Sequence, residues 1–310
     1  MKLYFAPLEG ITGYIYRNTH SELFGGCDAY YAPFITPVEN ERLNKKCLRD
    51  ILPENNKCPD LRVQLLSNNP KTYFKFEDEI LPMGYSEINV NLGCPSGTVV
   101  KKGRGSGFLR DTDNMSEFFE QIFERNKAEV SVKTRIGFYD KSEAEGIFDV
   151  YGRFPLKSII VHPRTREDYY KASVHMDVFE SIYKTYPKSI CYNGDVRTVS
   201  DTKNISDKFP GLEGIMLGRG AIANPAIFRE IKGGSKLTTE ELTEFSRILA
   251  ERYYEVLKSD MYTLHKLKEI WLYMMTNYPE EKKIIKAVKK ASTVAQLHDA
   301  VRTLPKIQEK

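Results

Sequence analysis

The stretch Asn91-Leu92-Gly93-Cys94-Pro95 sets a lone thiol between a glycine and a proline. Ser96-Gly97 and the basic run Lys101-Lys102-Gly103-Arg104-Gly105 follow it, a composition that suits a mobile, lid-like loop. A cysteine without special context is usually a small buried apolar residue. In this context two chemical roles come forward. A nucleophile needs a base beside it and a lowered pKa. A proton donor needs a neutral thiol, which a pKa of about 8.5 provides at neutral pH. No histidine is adjacent in sequence, so the neighbours of Cys94 leave both roles open.

Other residues carry chemistry by their position. Lys133 lies in the apolar run Val130–Thr134, where an ammonium is costly unless an anion meets it. That anion is either a ligand or an internal carboxylate, Glu9 or Asp195. His162, followed by Pro163-Arg164, is either a satisfied core histidine or part of a site. Asn193-Gly194-Asp195 and Gly218-Arg219-Gly220 are glycine turns of the kind that bring backbone N–H groups close to phosphate oxygens, with Arg219 able to add a bidentate contact.

The elements that must position these residues alternate. Strands are expected at Leu3–Ala6, Ala29–Ala32, Leu61–Leu66, Glu87–Val90, Val130–Thr134, Ser158–Val161, Ser189–Tyr192 and Gly214–Leu217. Several are continuous apolar runs, as strands covered on both faces must be. Helical spacing lies between them, most clearly in Asn114–Arg125, with Asp113 as its expected N-cap. The pattern predicts an α/β fold, a (β/α)8 TIM barrel. An open doubly wound sheet would need a Gly-rich phosphate turn after the first strand, and Pro7-Leu8-Glu9-Gly10 is not one. In such a barrel the active site lies where the strands end. There the sequence places Pro7, Leu8, Glu9, Gln64, Asn91, Cys94, Lys133, Arg135, His162, Arg164 and the two glycine turns, which fall after strands seven and eight, where barrels of this kind bind phosphate.

After Gly233-Gly234-Ser235 the character changes. Thr238 with Glu241 and Thr293 with Gln296 are capping signatures, and the apolar spacing between them is helical throughout. The chain therefore divides into a barrel, 1–234, and a C-terminal all-helical domain, 235–310. From Lys266 onward there are ten Lys/Arg against five Asp/Glu, so this segment carries +5 of a net +4 and the remainder −1. Such a segment suits a polyanionic partner or is a solvated lysine-rich face. Five cysteines without C-x-x-C spacing argue against a disulfide framework and a zinc site, so no metal is expected. No apolar run reaches the roughly 18 residues of a membrane span, and Lys2–Ala6 is too short for a signal peptide; a cytoplasmic protein, working as a monomer, is the expectation.

Taken in order, Ala6-Pro7-Leu8-Glu9-Gly10, Asn91-Leu92-Gly93-Cys94-Pro95, Lys133-Thr134-Arg135-Ile136-Gly137, His162-Pro163-Arg164-Thr165-Arg166, Asn193-Gly194-Asp195 and Gly218-Arg219-Gly220 resemble the tRNA-dihydrouridine synthases along the whole chain. Leu8 departs from the family's usual methionine and keeps its apolar character. The resemblance implies an FMN enzyme that reduces a uridine of tRNA to 5,6-dihydrouridine with NADPH. It implies that Pro7, Leu8, Glu9 and Gln64 line the flavin ring, that Lys133 assisted by His162 meets its negative charge, and that Asn193, Gly194, Asp195, Gly218 and Arg219 hold its ribityl phosphate. Asn91 would contact the uracil and Cys94 would be the general acid. Arg135, Arg164, Lys266 and Lys286 are the expected contacts to substrate RNA. A small-molecule flavin reductase on the same barrel, a synthase acting on ribosomal RNA, and an RNA-binding protein without catalysis are the rival readings.

Overall fold

The computed structural model describes residues 1–39, 43, 45–186 and 189–306, with the side chains of residues 45–47 also outside the description. The side chain of Cys47 and the last four residues of the expected helical segment therefore lie outside the description. Eight parallel strands close a barrel in chain order. They are β1 (Lys2–Phe5), β2 (Ala29–Tyr31), β3 (Leu61–Leu65), β4 (Glu87–Leu92), β5 (Glu129–Gly137), β6 (Ile159–Thr165), β7 (Ile190–Tyr192) and β8 (Gly214–Leu217), with β8 pairing back onto β1.

Every expected strand is present, but three run further than their apolar cores. β4 continues through Asn91 to Leu92. β5 and β6 extend together past Thr134 and Val161, and their register slips between Arg135 and Gly137. Such an irregularity admits Pro163, which has no N–H to give to a ladder. Arg135, His162 and Arg164 are thus strand residues rather than loop residues, with Arg135 paired to His162.

Alternation along the strands sends every second side chain into the barrel. On one side of the interior, Tyr4, Ala29, Tyr31, Ile160, Cys191 and Met216 form an apolar cluster of their own. The side built by β3, β4 and β5 is polar: Arg62, Gln64, Glu87, Asn89, Asn91 and Ser131 are all buried. Branched apolar residues normally fill such a barrel; here half of the interior is polar.

The helix expected near Asn114–Arg125 spans Thr112–Phe123 and buries Met115, Phe118, Phe119 and Ile122. Its N-cap is Asp111, whose carboxylate accepts from Asn114 N at 3.0 Å, and not Asp113. Asp113 lies inside the first turn, where a negative charge faces the positive end of the helix dipole. The C-terminal segment consists of helices Thr239–Leu257, Asp260–Met274, Lys282–Lys290 and Val294–Val301. The Thr238–Glu241 capping box forms as expected. Thr293 caps the last helix, but Gln296 Oε1 accepts from Ser292 N at 2.8 Å instead of closing the box on Thr293. Phe245 packs edge-on against Tyr16 and Phe24, at 5.4 and 5.2 Å, and buried Trp271 donates to Ser246 Oγ at 2.8 Å. The segment therefore rides on the helix Tyr14–Leu23 that follows β1 and shares one apolar core with the barrel. Among the described residues no helix is long and apolar enough to cross a membrane, and no group of three or more His, Cys, Asp or Glu side chains could hold a metal.

Candidate active site

A cleft opens where the strands end. Pro7, Leu8, Lys133, His162, Asn193, Gly194, Asp195, Gly218 and Arg219 line it together. Nine residues singled out by sequence, from five strands or the turns after them, thus meet at one place. Tyr170 and Arg197 also line it.

Lys133 is the electrostatic centre. No described carboxylate stands within ion-pair distance of it, and neither Glu9 nor Asp195 is among the groups that shift its pKa. Burial, and then the positive charge of Arg135, lower that pKa from 10.5 to about 8. The internal ion pair is excluded among the described residues, so Lys133 lacks an anion. His162 is held neutral: burial first, and then the surrounding cations Arg135, Lys133, Arg164 and Arg219, push its pKa well below the ordinary histidine value. Arg164 Nη1 stands 3.1 Å from His162 Nε2 and can only donate, so the ring proton sits on Nδ1.

Arg164 is consumed inside the protein. It is 2% exposed, donates to Ala172 O at 2.7 Å, and forms an ion pair with Asp195. Its geometry orients His162 and Asp195 rather than reaching outward. Asp195 adopts φ +44°, a strained conformation for a non-glycine residue, and also binds Arg219 at 2.7 Å. Burial works against ionisation of Asp195, but the Arg164 and Arg219 guanidiniums outweigh it and hold the carboxyl below its usual range.

The glycines have a reason that sequence alone did not supply. A Cβ on Gly220 would stand 2.3 Å from Val196 O, and one on Gly194 would stand 2.9 Å from the Tyr192 hydroxyl. Both glycines are demanded by packing of the protein on itself. At Gly218 a Cβ would meet only Ala6 Cβ and Leu8 Cδ1, at 3.3 and 3.6 Å. At the start of the helix Arg219–Ala223, Ala221 N and Ile222 N bond Gly218 O at 2.9 and 3.2 Å, which leaves the N–H groups of Arg219 and Gly220 without an intrahelical acceptor. With Arg219 and Arg197 nearby, this donor set fits a phosphate, and the unpaired Lys133 fits an anionic ring edge. The residues present therefore fit a flavin mononucleotide.

Gln64, Asn91 and Cys94 sit beside the cleft and are joined to one another. Asn91 accepts from Cys94 N at 2.9 Å and donates to Gln64 at 2.7 Å. The Cys94 thiol is pushed above its ordinary value, chiefly by burial and also by the charge of Glu9. It is therefore protonated at neutral pH. This favours the proton donor over the nucleophile, which needs the opposite shift. Arg135 donates to Gly93 O at 3.0 Å and Thr165 O at 2.6 Å, while its buried Nη2 has no hydrogen-bond partner among the described residues. Tyr170, missed in the sequence, stands with its ring 4.5 Å from the Arg219 guanidinium, 5.2 Å from that of Arg135 and 6.0 Å from His162. Its only sequence signal was the tyrosine pair in Thr165-Arg166-Glu167-Asp168-Tyr169-Tyr170, just past the polar end of a strand. Lys266 is not free on the surface: its ammonium donates to Gly10 O at 2.6 Å and so ties the helical segment to the loop after β1. Lys286 is exposed on the helix Lys282–Lys290.

The family model for dihydrouridine synthases matches residues 4–309. A probable tRNA-dihydrouridine synthase of Staphylococcus aureus (strain COL) is 26% identical over 275 residues, covering 86% of this chain and 81% of that protein. A tRNA-dihydrouridine(16) synthase of Aquipseudomonas alcaligenes is 26% identical over 294 residues, covering 90% and 92%. Among solved structures, an old yellow enzyme homologue from Zymomonas mobilis aligns with a TM-score of 0.55 at 10% identity, over 76% of this chain and 90% of that one. Morphinone reductase aligns with a TM-score of 0.53 at 10% identity, over 76% and 86%. These two share the fold.

Proposed function

Because the chain belongs to the dihydrouridine synthase family, and so to the flavin-dependent oxidoreductases, we propose that it reduces a uridine of tRNA to 5,6-dihydrouridine, with FMN as bound cofactor and NADPH as reductant. The observation that carries this reading is Lys133: an ammonium with no carboxylate among the described residues to meet it, in the same cleft as the glycine turns Asn193–Asp195 and Gly218–Gly220. Pro7 and Leu8 from the cleft wall, Glu9 beside them and Gln64 would line the flavin ring, and Asn193, Gly194, Asp195, Gly218 and Arg219 would hold its ribityl phosphate. FMN supplies, when bound, the hydride that C6 of the uracil requires.

The side chains supply the rest. Lys133 offers positive charge to the ring edge. His162, fixed in its Nδ1–H form by Arg164, adds a neutral donor. Asn91 holds the turn that bears Cys94 and can offer its remaining N–H to a uracil carbonyl. Cys94 keeps its proton until C5 takes it. The uridine leaves its stack to reach the cleft, at a cost of a few kcal/mol, and contacts from a C-terminal RNA-binding domain, residues 235–310, offset that cost. Exposed Lys286 serves there, whereas Arg135 and Arg164 are buried and bond within the protein, and Lys266 is tied to Gly10 O. The enzyme acts as a cytoplasmic monomer. A small-molecule reductase on this barrel would leave the five exposed lysines of Lys282–Lys290 without a purpose.

Cys94→Ala tests the reading. The variant should bind FMN and oxidise NADPH yet form little dihydrouridine. A normal product yield would remove Cys94 from the role of general acid.

A further inference from the structure

A column of hydrogen-bonded side chains descends through the polar half of the barrel from the turn that carries Cys94. Asn91 Oδ1 accepts from the backbone N–H groups of Gly93 at 3.1 Å and Cys94 at 2.9 Å. Asn91 Nδ2 donates to Gln64 Oε1 at 2.7 Å, and Gln64 Nε2 donates to Asn89 Oδ1 at 2.7 Å. Asn89 Nδ2 donates to Ser131 Oγ at 2.9 Å, and the Ser131 hydroxyl donates to Glu87 Oε1 at 2.5 Å. The other Glu87 oxygen meets Arg62 at 3.4 Å and Lys157 at 2.9 Å. Strand register supports the stacking, since Gln64 pairs with Asn89 and Asn89 with Ser131.

The direction of this column is forced from both ends. Backbone amides only donate, so the Asn91 atom that faces them is its oxygen. The Glu87 carboxylate, beside two cations, accepts, so Ser131 gives its proton toward the foot of the barrel. Each amide between must then donate toward Glu87. Reversing any one of them sets two N–H groups or two oxygens face to face, in a region where an unsatisfied polar group costs about 1–3 kcal/mol.

We infer that Asn89, Ser131 and Glu87, none of which lines the cleft, are positioning residues of this site. They fix the amide orientation of Gln64 and Asn91, and through Asn91 the backbone turn that bears Cys94. One consequence rests on the proposed function. With Asn91 Oδ1 already accepting from both the Gly93 and Cys94 amides, Asn91 has only its second N–H left to offer, so at this point the site suits a carbonyl oxygen of the base and turns away an amino group.

Ser131→Ala removes the acceptor of Asn89 and the donor to Glu87 without touching the cleft; Asn89→Ala cuts the column one link higher. Val132→Ala is the packing control: it is buried on the same strand, next to Ser131, and faces the main core. Two readouts are taken on folded protein: the rate at which iodoacetamide alkylates Cys94, followed by mass spectrometry without cofactor or RNA, and kcat with KM for dihydrouridine formation. In both column variants the alkylation rate should change at least about threefold and kcat should fall about tenfold, with KM for RNA little altered. Val132→Ala should lose stability but keep both rates. Wild-type rates in the two column variants, or the same changes in Val132→Ala, would overturn the inference. If the wild-type protein forms no dihydrouridine, the functional reading fails, and the alkylation contrast alone decides the column.

Discussion

Replacing Lys133 with methionine should make the cofactor-free protein more stable and the enzyme useless. The side chain keeps a similar shape and loses an ammonium that nothing described in the fold pairs with. Burial lowers the Lys133 pKa from 10.5 to about 8, so the folded state holds this proton less tightly than the unfolded chain. Folding below pH 8 therefore works against the charge. Stability contributed by this residue rises with pH between about 8 and 10.5, the window in which the unfolded chain still binds the proton and the folded one does not. At about 1.4 kcal/mol per pH unit, the charge costs on the order of 3 kcal/mol at neutral pH. The assay is urea unfolding of wild type and Lys133→Met, both stripped of flavin, at intervals from pH 7 to 10.5. The difference should favour Lys133→Met by a few kcal/mol at pH 7 and shrink steadily above pH 8; working with the difference removes the titrations the two proteins share. Adding FMN should stabilise wild type more than the variant, since a bound anion meets the charge. Equal stability at pH 7, or a difference that ignores pH, would refute the claim that Lys133 waits without a partner.

Two further outcomes follow from the geometry. Gly220→Ala forces a methyl to within 2.3 Å of Val196 O and 3.0 Å of Arg197 Cα, both backbone, and should cost about 1–3 kcal/mol in urea unfolding even without cofactor. Neutralising Lys282, Lys283, Lys286, Lys289 and Lys290 to glutamine should weaken tRNA binding and flatten its dependence on log salt by about 0.7–0.9 for each phosphate that is no longer neutralised; an unchanged slope in a filter-binding series would return these lysines to a solvated face.

The barrel was legible because parallel strands covered on both faces must be apolar runs, and runs such as Ile159-Ile160-Val161 left little choice. Their ends were less so. Pro163 reads as a stop signal, and only the register slip beside Arg135 explains how β6 continues through it. The cleft residues were found because polar groups recur where strands end. Tyr170 was not, because its ring reaches the site through tertiary packing of a loop whose sequence is charged like any surface turn. The fates of Arg164 and Lys266 were equally hidden: a cation that binds RNA and one that binds Asp195 or a carbonyl carry the same letter. The polar column was invisible for a related reason. Asn89 and Ser131 look like ordinary interruptions of apolar strands until register sets them beside Gln64 and Glu87.

If this chain makes dihydrouridine in tRNA, as proposed, the nucleoside depends on it in cells. The most direct measurement maps dihydrouridine across total RNA from cells with the protein, cells without it, and cells carrying Cys94→Ala. A defined tRNA position should be modified with the wild-type protein and unmodified in the other two. Identical dihydrouridine maps in all three, or a loss confined to ribosomal RNA, would contradict it.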